Sequence, residues 1–167
     1  YDAVVLERNP LDRQRMRLMH YQFDATAGWQ RGVVITDQAT GPASLIQSRV
    51  RDCASWGNYE LVVLEGRQLV HYWRDNSRLP RLWRRGQVIS STASGPACLV
   101  QSHFGLVGNF EVVVPEPGGL KHYWHPNEGW PGTSAERFYF DRAWQPTSKV
   151  SDPYPRHDVD FSPQGAY

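Results

Sequence analysis

The sequence predicts an all-β fold built from repeated four-stranded sheets, and three observations carry that prediction. The first is composition: 167 residues, a length suited to one ordinary domain, hold 14 Gly, 12 Pro, seven Trp and eight Tyr. Short strands and frequent turns use such residues; long helices do not. The second is an internal repeat. His20, His71 and His122 follow one another at intervals of 51 residues, Gly57 and Gly108 are also 51 apart, and Gly41 and Gly95 are 54 apart. That period is too long for leucine-rich or ankyrin repeats and falls where the four-stranded blades of a β-propeller fall. The third is alternation: in "YELVVLEG" (59–66) Tyr59, Leu61 and Val63 share one strand face, and Glu60 and Val62 share the other.

Taken in order, residues 1–36 form a partial copy without a first strand: "YDAVVLE" (1–7), "LMHYQFD" (18–24) and "GWQRGVVIT" (28–36). The second copy spans 41–90. Its "GPASLIQS" (41–48) follows a Gly-Pro punctuator and reads as a strand buried on both sides. "GNYELVVLEG" (57–66) and "QLVHYWRDN" (68–76) are joined through Glu65, Gly66 and Arg67 as a hairpin. "LWRRGQVIS" (82–90) is more polar, as befits an outer edge strand, and Arg84 and Arg85 oppose edge-to-edge pairing. The third copy spans 95–140 as "GPACLVQS" (95–102), "GNFEVVVPEPGG" (108–119), "LKHYWHPN" (120–127) and a degraded outer strand around "GWPGT" (129–133). Residues 141–167, broken by Pro146, Pro153, Pro155 and Pro163, read as an extended exit segment or linker packed through Trp144, Tyr154 and Phe161.

A blade can bury its two faces only against neighbouring blades. Known propellers have about four to eight blades, so roughly three leave an open apolar face at each end. The expectation is a partial ring, completed by further blades of a longer chain or by homo-oligomerisation. The opening on Tyr1 rather than Met agrees with a processed, truncated or excised piece. The compartment stays open, with a secreted or cell-surface setting favoured.

Several functions are disfavoured. A net charge of +1 from 18 basic and 17 acidic residues gives no footprint for nucleic acid. No apolar run approaches the ~18 residues of a membrane helix. His122 and His125 lie three apart, on opposite faces of a strand, and no H-E-x-x-H or Asp-rich calcium loop is present, so neither metal nor cofactor is expected. Glu60 and Glu111 occupy equivalent positions in successive copies, which marks them as features of the repeat rather than a glycosidase pair. No G-x-S-x-G elbow occurs. Cys53 and Cys98 read as free thiols; Cys98 stands where the second copy has Ser44 and reads as a small buried residue. The arginines at 74, 78, 81, 84 and 85 read as a solvated outer edge, with an anionic ligand or acidic partner as the functional alternative. No enzymatic activity is expected.

The pattern G-N-Y/F-E-L/V-V-V, a turn, L-x-H-Y-W, then W-x-x-G ahead of the next G-P-A resembles the repeats of the PLL-like bacterial and fungal lectins, which are β-propellers. The matching positions are Glu60 and Glu111; Leu69, His71 and Trp73; Leu120, His122 and Trp124; and the outer-strand tryptophans Trp29, Trp83 and Trp130, over about 130 of the 167 residues. The resemblance implies sugar sites in grooves between blades, walled by aromatic side chains. The candidates are Tyr72, Trp73, Trp83, Tyr123, Trp124 and Trp130, with Arg74 and Asp75 at the strand's end and Asn58 and Asn76 as further polar groups. Alternation limits this set: His71 and Trp73 share one face and Tyr72 the other, so the three line no single pocket. The recurring histidines read as packing groups hydrogen-bonded to Glu60 or Glu111. Gln22 replaces Trp in the first copy and His125-Pro126 replaces Arg74-Asp75 in the third. The groove is therefore expected to be strongest beside the second copy and degraded beside the third.

The function expected is a non-catalytic, lectin-like module that binds glycan, of fucose type or another monosaccharide unit, in shallow aromatic grooves. The alternatives are a protein-binding or scaffold propeller within a larger multidomain protein, one of toxin type included, and a glycosidase of the sialidase kind, which the missing S-x-D-x-G-x-x-W boxes disfavour.

Overall fold

The computed structural model describes residues 1–12, 14–49, 57–76, 79–103, 108–127 and 143–149. Among them are eleven strands in three separate antiparallel sheets. The first sheet joins β1 (Asp2–Arg8), β2 (Met16–Asp24) and β3 (Gly28–Thr36) in sequence order. The second joins β4 (Ala43–Gln47), β5 (Tyr59–Glu65), β6 (Gln68–Arg74) and β7 (Trp83–Ser90). The third joins β8 (Cys98–Gln101), β9 (Phe110–Glu116), β10 (Gly119–His125) and β11 (Gln145–Lys149). No sheet closes on itself.

Period-2 alternation puts each middle-sheet strand in contact with both neighbours. Leu61, Val63, Val70 and Tyr72 face the first sheet and pack with Leu18, Val4, Leu6 and Ile35. Val62, Leu64, Leu69, Trp73 and Ile89 face the third sheet and pack with Leu99, Phe110, Val112, Val114, Tyr123 and Trp144. The described residues thus form two cores, one at each junction, and the middle sheet packs on both faces. Its β5–β6 turn depends on Gly66, whose φ of 64° lies in the left-handed region that glycine enters without steric cost.

Hydrogen bonds repeat with the sheets. The Thr36 hydroxyl at the end of β3 donates to Glu65 Oε1 of the next sheet at 2.7 Å, and the Tyr72 hydroxyl donates to the same oxygen at 2.7 Å. Ser90, at the end of β7, donates to Glu116 Oε1 at 2.5 Å beside the Tyr123 hydroxyl at 2.6 Å. Glu65 therefore ties the second sheet to the first, and Glu116 ties the third to the second.

Two expectations are corrected. The third sheet does not end at residue 140: Gln145–Lys149 pairs with β10 through Trp124↔Gln145 and Tyr123↔Pro146. Pro146 is tolerated because β11 is an edge strand, where a missing N–H costs no ladder bond. Trp144-Gln-Pro-Thr147 thus occupies the place of Trp83-Arg-Arg-Gly86, and the outer-strand tryptophan of the third sheet is Trp144; Trp130 and the "GWPGT" stretch lie outside the described residues, as do Tyr154 and Phe161. Cys98 is a free thiol but exposed rather than buried, on the edge strand β8, with the Ser44 hydroxyl of the second sheet 3.9 Å from its Sγ. Cys53 lies outside the described residues.

Candidate functional site

Each sheet carries an acid–histidine pair set diagonally on adjacent strands. His20 Nε2 lies 2.7 Å from Asp2 Oδ1, His71 Nε2 lies 2.9 Å from Glu60 Oε2, and His122 Nε2 lies 3.4 Å from Glu111 Oε2. The first two face the following sheet. There His20 meets Tyr59, Arg74 and Trp83, and His71 meets the equivalent Phe110 and Trp144, against whose rings packs His125, the equivalent of Arg74.

At the first junction this arrangement leaves a groove of about 430 Å³. Tyr1, Asp2 and Gln22 line it from the first sheet, and Gln47, Tyr59, Arg74, Asn76 and Arg81 from the second. Arg74 is its centre. The guanidinium lies 4.5 Å above the Tyr59 ring and 5.7 Å from the Trp83 ring. Its Nε donates to Asn76 Oδ1 at 2.9 Å, and Nη2 lies 3.6 Å from Asp2. Asn76 in turn donates to the Gly57 carbonyl at 2.7 Å, which holds the strand end in place.

The protonation states follow from these contacts. An arginine can only donate, so His20 Nδ1, 3.4 Å from Arg74 Nη1, accepts; its proton sits on Nε2 and is given to Asp2. Burial lowers the His20 pKa and Arg74 lowers it further, against the pull of Asp2. Burial pushes the Asp2 carboxyl up, but hydrogen bonds from Tyr59 and His20 and the charge of Arg74 outweigh it and leave the group below its ordinary value. Burial and the bond to Asp2 push the Tyr59 phenol up to about 12. Burial lowers the Arg74 pKa, which Asp2 opposes. At neutral pH the groove floor is thus a carboxylate, a neutral imidazole, a neutral phenol and a guanidinium.

At the second junction the residue equivalent to Gln22 is Trp73, whose indole is buried there, 2% exposed and packed with Phe110 and Trp144 in the second core. Gln22 leaves free the volume that Trp73 occupies. A second depression, of about 420 Å³, lies at the opposite strand ends between Gln14, Arg15, Met16, Asp37, Gln38, Ala39 and Thr40; no aromatic side chain lines it.

Of the expected ligand-binding residues, Arg74 lines the groove and Trp83 supports it from beneath, stacked on Tyr59 at an interplanar angle of 24°. Tyr72 is buried and bonded to Glu65, Tyr123 is buried and bonded to Glu116, and Trp73 is core with the Arg84 guanidinium 5.0 Å over its ring. Trp124 is half-buried on the outward face of the third sheet. Asp75 follows β6 outside the groove lining, and Asn58 is buried. Asp2, Gln22, Gln47, Tyr59 and Arg81 were not among the expected residues. Signals were available for two of them: Gln22 stands where the other copies have Trp73 and Trp124, and Asp2 where they have Glu60 and Glu111.

No protein-family model, no curated protein and no solved structure matches the chain.

Proposed function

We propose that the chain is an arc of β-propeller blades that binds carbohydrate, without catalysis, in the groove between its first two sheets. The observation that carries this reading is the groove: its volume of about 430 Å³ falls within the ~300–1,000 Å³ typical of small-molecule sites. Gln22, Gln47 and Asn76 offer carboxamides that can both donate to and accept from sugar hydroxyls. Arg81 adds a donor, and Tyr59 supplies an aromatic wall. Asp2 is engaged by Tyr59, His20 and Arg74, so it orders the floor rather than serving as an acid or base. Serial face-to-face packing of three repeated sheets supports the blade reading. A single shallow site of this kind is weak, and several in one ring would act through avidity.

Titration with a panel of monosaccharides, fucose-type sugars included, tests the proposal through the fluorescence of Trp83 and through backbone amide shifts. Gln22→Trp fills the groove as Trp73 fills the second junction, and it is expected to abolish binding while the fold is retained. No response to any glycan, or undiminished binding by Gln22→Trp, would sink the reading. The apolar end faces, which no sheet covers among the described residues, favour a protein-interaction or scaffold role as the second reading.

A further inference from the structure

Both junctions in the protein are built alike. His20 packs on Tyr59 and Trp83 with ring centroids 6.4 and 5.8 Å apart and meets Arg74 at 3.4 Å. His71 packs on Phe110 and Trp144 at 6.1 and 5.9 Å, with His125 stacked on Phe110. The repeat register supplies a third cage and a third histidine, at opposite ends of the molecule. Tyr1 aligns with Tyr59 and Phe110, Phe23 with Arg74 and His125, and Trp29 with Trp83 and Trp144. These three rings already touch: Tyr1–Phe23 at 6.1 Å and Phe23–Trp29 at 5.5 Å. Among the described residues no sheet covers them, and they are 92%, 38% and 53% exposed.

His122 lies at the other end, beside Glu111 on the outward face of the third sheet. Around it Val100, Val113 and Leu120 are 50%, 38% and 50% exposed. Their counterparts in the middle sheet are Ile46, Val62 and Leu69, which pack against the third sheet. Likewise Val5 and Tyr21 on the outward face of the first sheet correspond to Val63 and Tyr72, which pack against the first sheet. The two ends are the two halves of a junction that the molecule makes twice within itself.

We infer that the outward face of the third sheet docks on the outward face of the first sheet of a second copy of this chain, with His122 seated among that copy's Tyr1, Phe23 and Trp29. The contact joins unlike faces, so one end remains open in every chain until a ring closes. Two chains of three sheets bring together six sheets, within the range of about four to eight in closed propellers, and satisfy both ends. The inference rests on the reading of the sheets as blades and is independent of the glycan reading, which the sugar titration tests separately.

Sedimentation of the whole chain across micromolar concentrations is the test. The expected result is reversible association to twice the 19.1 kDa chain mass. Trp29→Ser and Leu120→Glu alter exposed side chains on the two different faces, and circular dichroism verifies that each variant keeps its strands. Each is expected to weaken association by at least about tenfold, the scale of losing one interface anchor. Leu79→Glu, on the loop between β6 and β7 and 85% exposed, is expected to leave association unchanged. A 19.1 kDa monomer at all concentrations, or an oligomer that survives both face substitutions, overturns the inference.

Discussion

His71 and Gly86 face each other across β6 and β7 so closely that a Cβ at position 86 would sit 3.1 Å from both the ring Nδ1 and the carbonyl oxygen of His71. Gly32 stands in the same relation to His20, at 2.9 Å from its carbonyl oxygen and 3.3 Å from Nδ1. The third sheet has Thr147 there, and its hydroxyl lies 3.0 Å from His122 Nδ1. The glycine of W-x-x-G is therefore a steric allowance for the histidine. Gly86→Ala must push back a buried ring held by Glu60, at an expected cost of about 1–3 kcal/mol, the usual range for overpacking. Urea denaturation reads this directly, and an unchanged midpoint would contradict it.

Glu60 is fully buried against His71. Removing the carboxylate takes from the buried Nε2 of His71 and from the Ser48 hydroxyl the acceptor they share. Glu60→Ala is expected to cost about 3–5 kcal/mol, and Glu60→Gln less, since a carboxamide oxygen can still accept from Nε2. Equal losses for the two variants would show that the bond itself is immaterial.

Arg74 stacks on two rings, bonds Asn76 and neighbours Asp2. A lysine keeps the charge but has neither the planar fork nor the stacking face. Arg74→Lys is therefore expected to weaken glycan binding nearly as much as Arg74→Ala, by about tenfold or more in dissociation constant, as for an interface anchor. Retention of wild-type affinity by the lysine variant would place the sugar elsewhere.

His20 sets an acid limit on the first junction. Its pKa in the fold is lowered from 6.5, because it is buried and faces Arg74, with Asp2 opposing. As pH falls below 6.5, the unfolded chain takes up a proton that the folded histidine refuses, so stability declines until the folded value is reached. Asp2, also lowered, adds a second decline below its ordinary 3.8. His20→Gln is expected to abolish the first decline and leave the second. Thermal melts between pH 8 and 3 separate the two; a first decline that persists in the variant would assign it to another group.

Trp73 and Trp29 make a controlled contrast, with exposures of 2% and 53%. Trp73→Ala opens a cavity in the second core, at about 3–5 kcal/mol. Trp29→Ala in the dissociated chain is expected to stay within about 0.5 kcal/mol, as for ordinary surface positions. A large loss at Trp29 under dissociating conditions would mean that its ring holds the first sheet together.

Much of this architecture was legible because strand alternation and the 51-residue spacing are local properties of the chain. The hairpin at Gly66, the histidine–glutamate pair of the second sheet and the missing first strand of the first sheet all follow from them. β11 was not legible. It pairs with β10 across a connection longer than in the earlier copies, so spacing pointed to residues 129–133 instead of Gln145–Lys149.

The groove marks the same division. The sequence by itself determined that Tyr72 and Trp73 point to opposite faces and that Gln22 breaks the tryptophan repeat. Which faces are covered was decided by tertiary packing alone. Tyr72 and Trp73 lie in the two cores because a neighbouring sheet meets each side of the middle sheet. The groove at the first junction lies beside Gln22, where the next junction has the buried Trp73. Alternation fixes the direction of a side chain relative to its own strand; whether that direction ends in protein or in solvent depends on a neighbour distant in the chain.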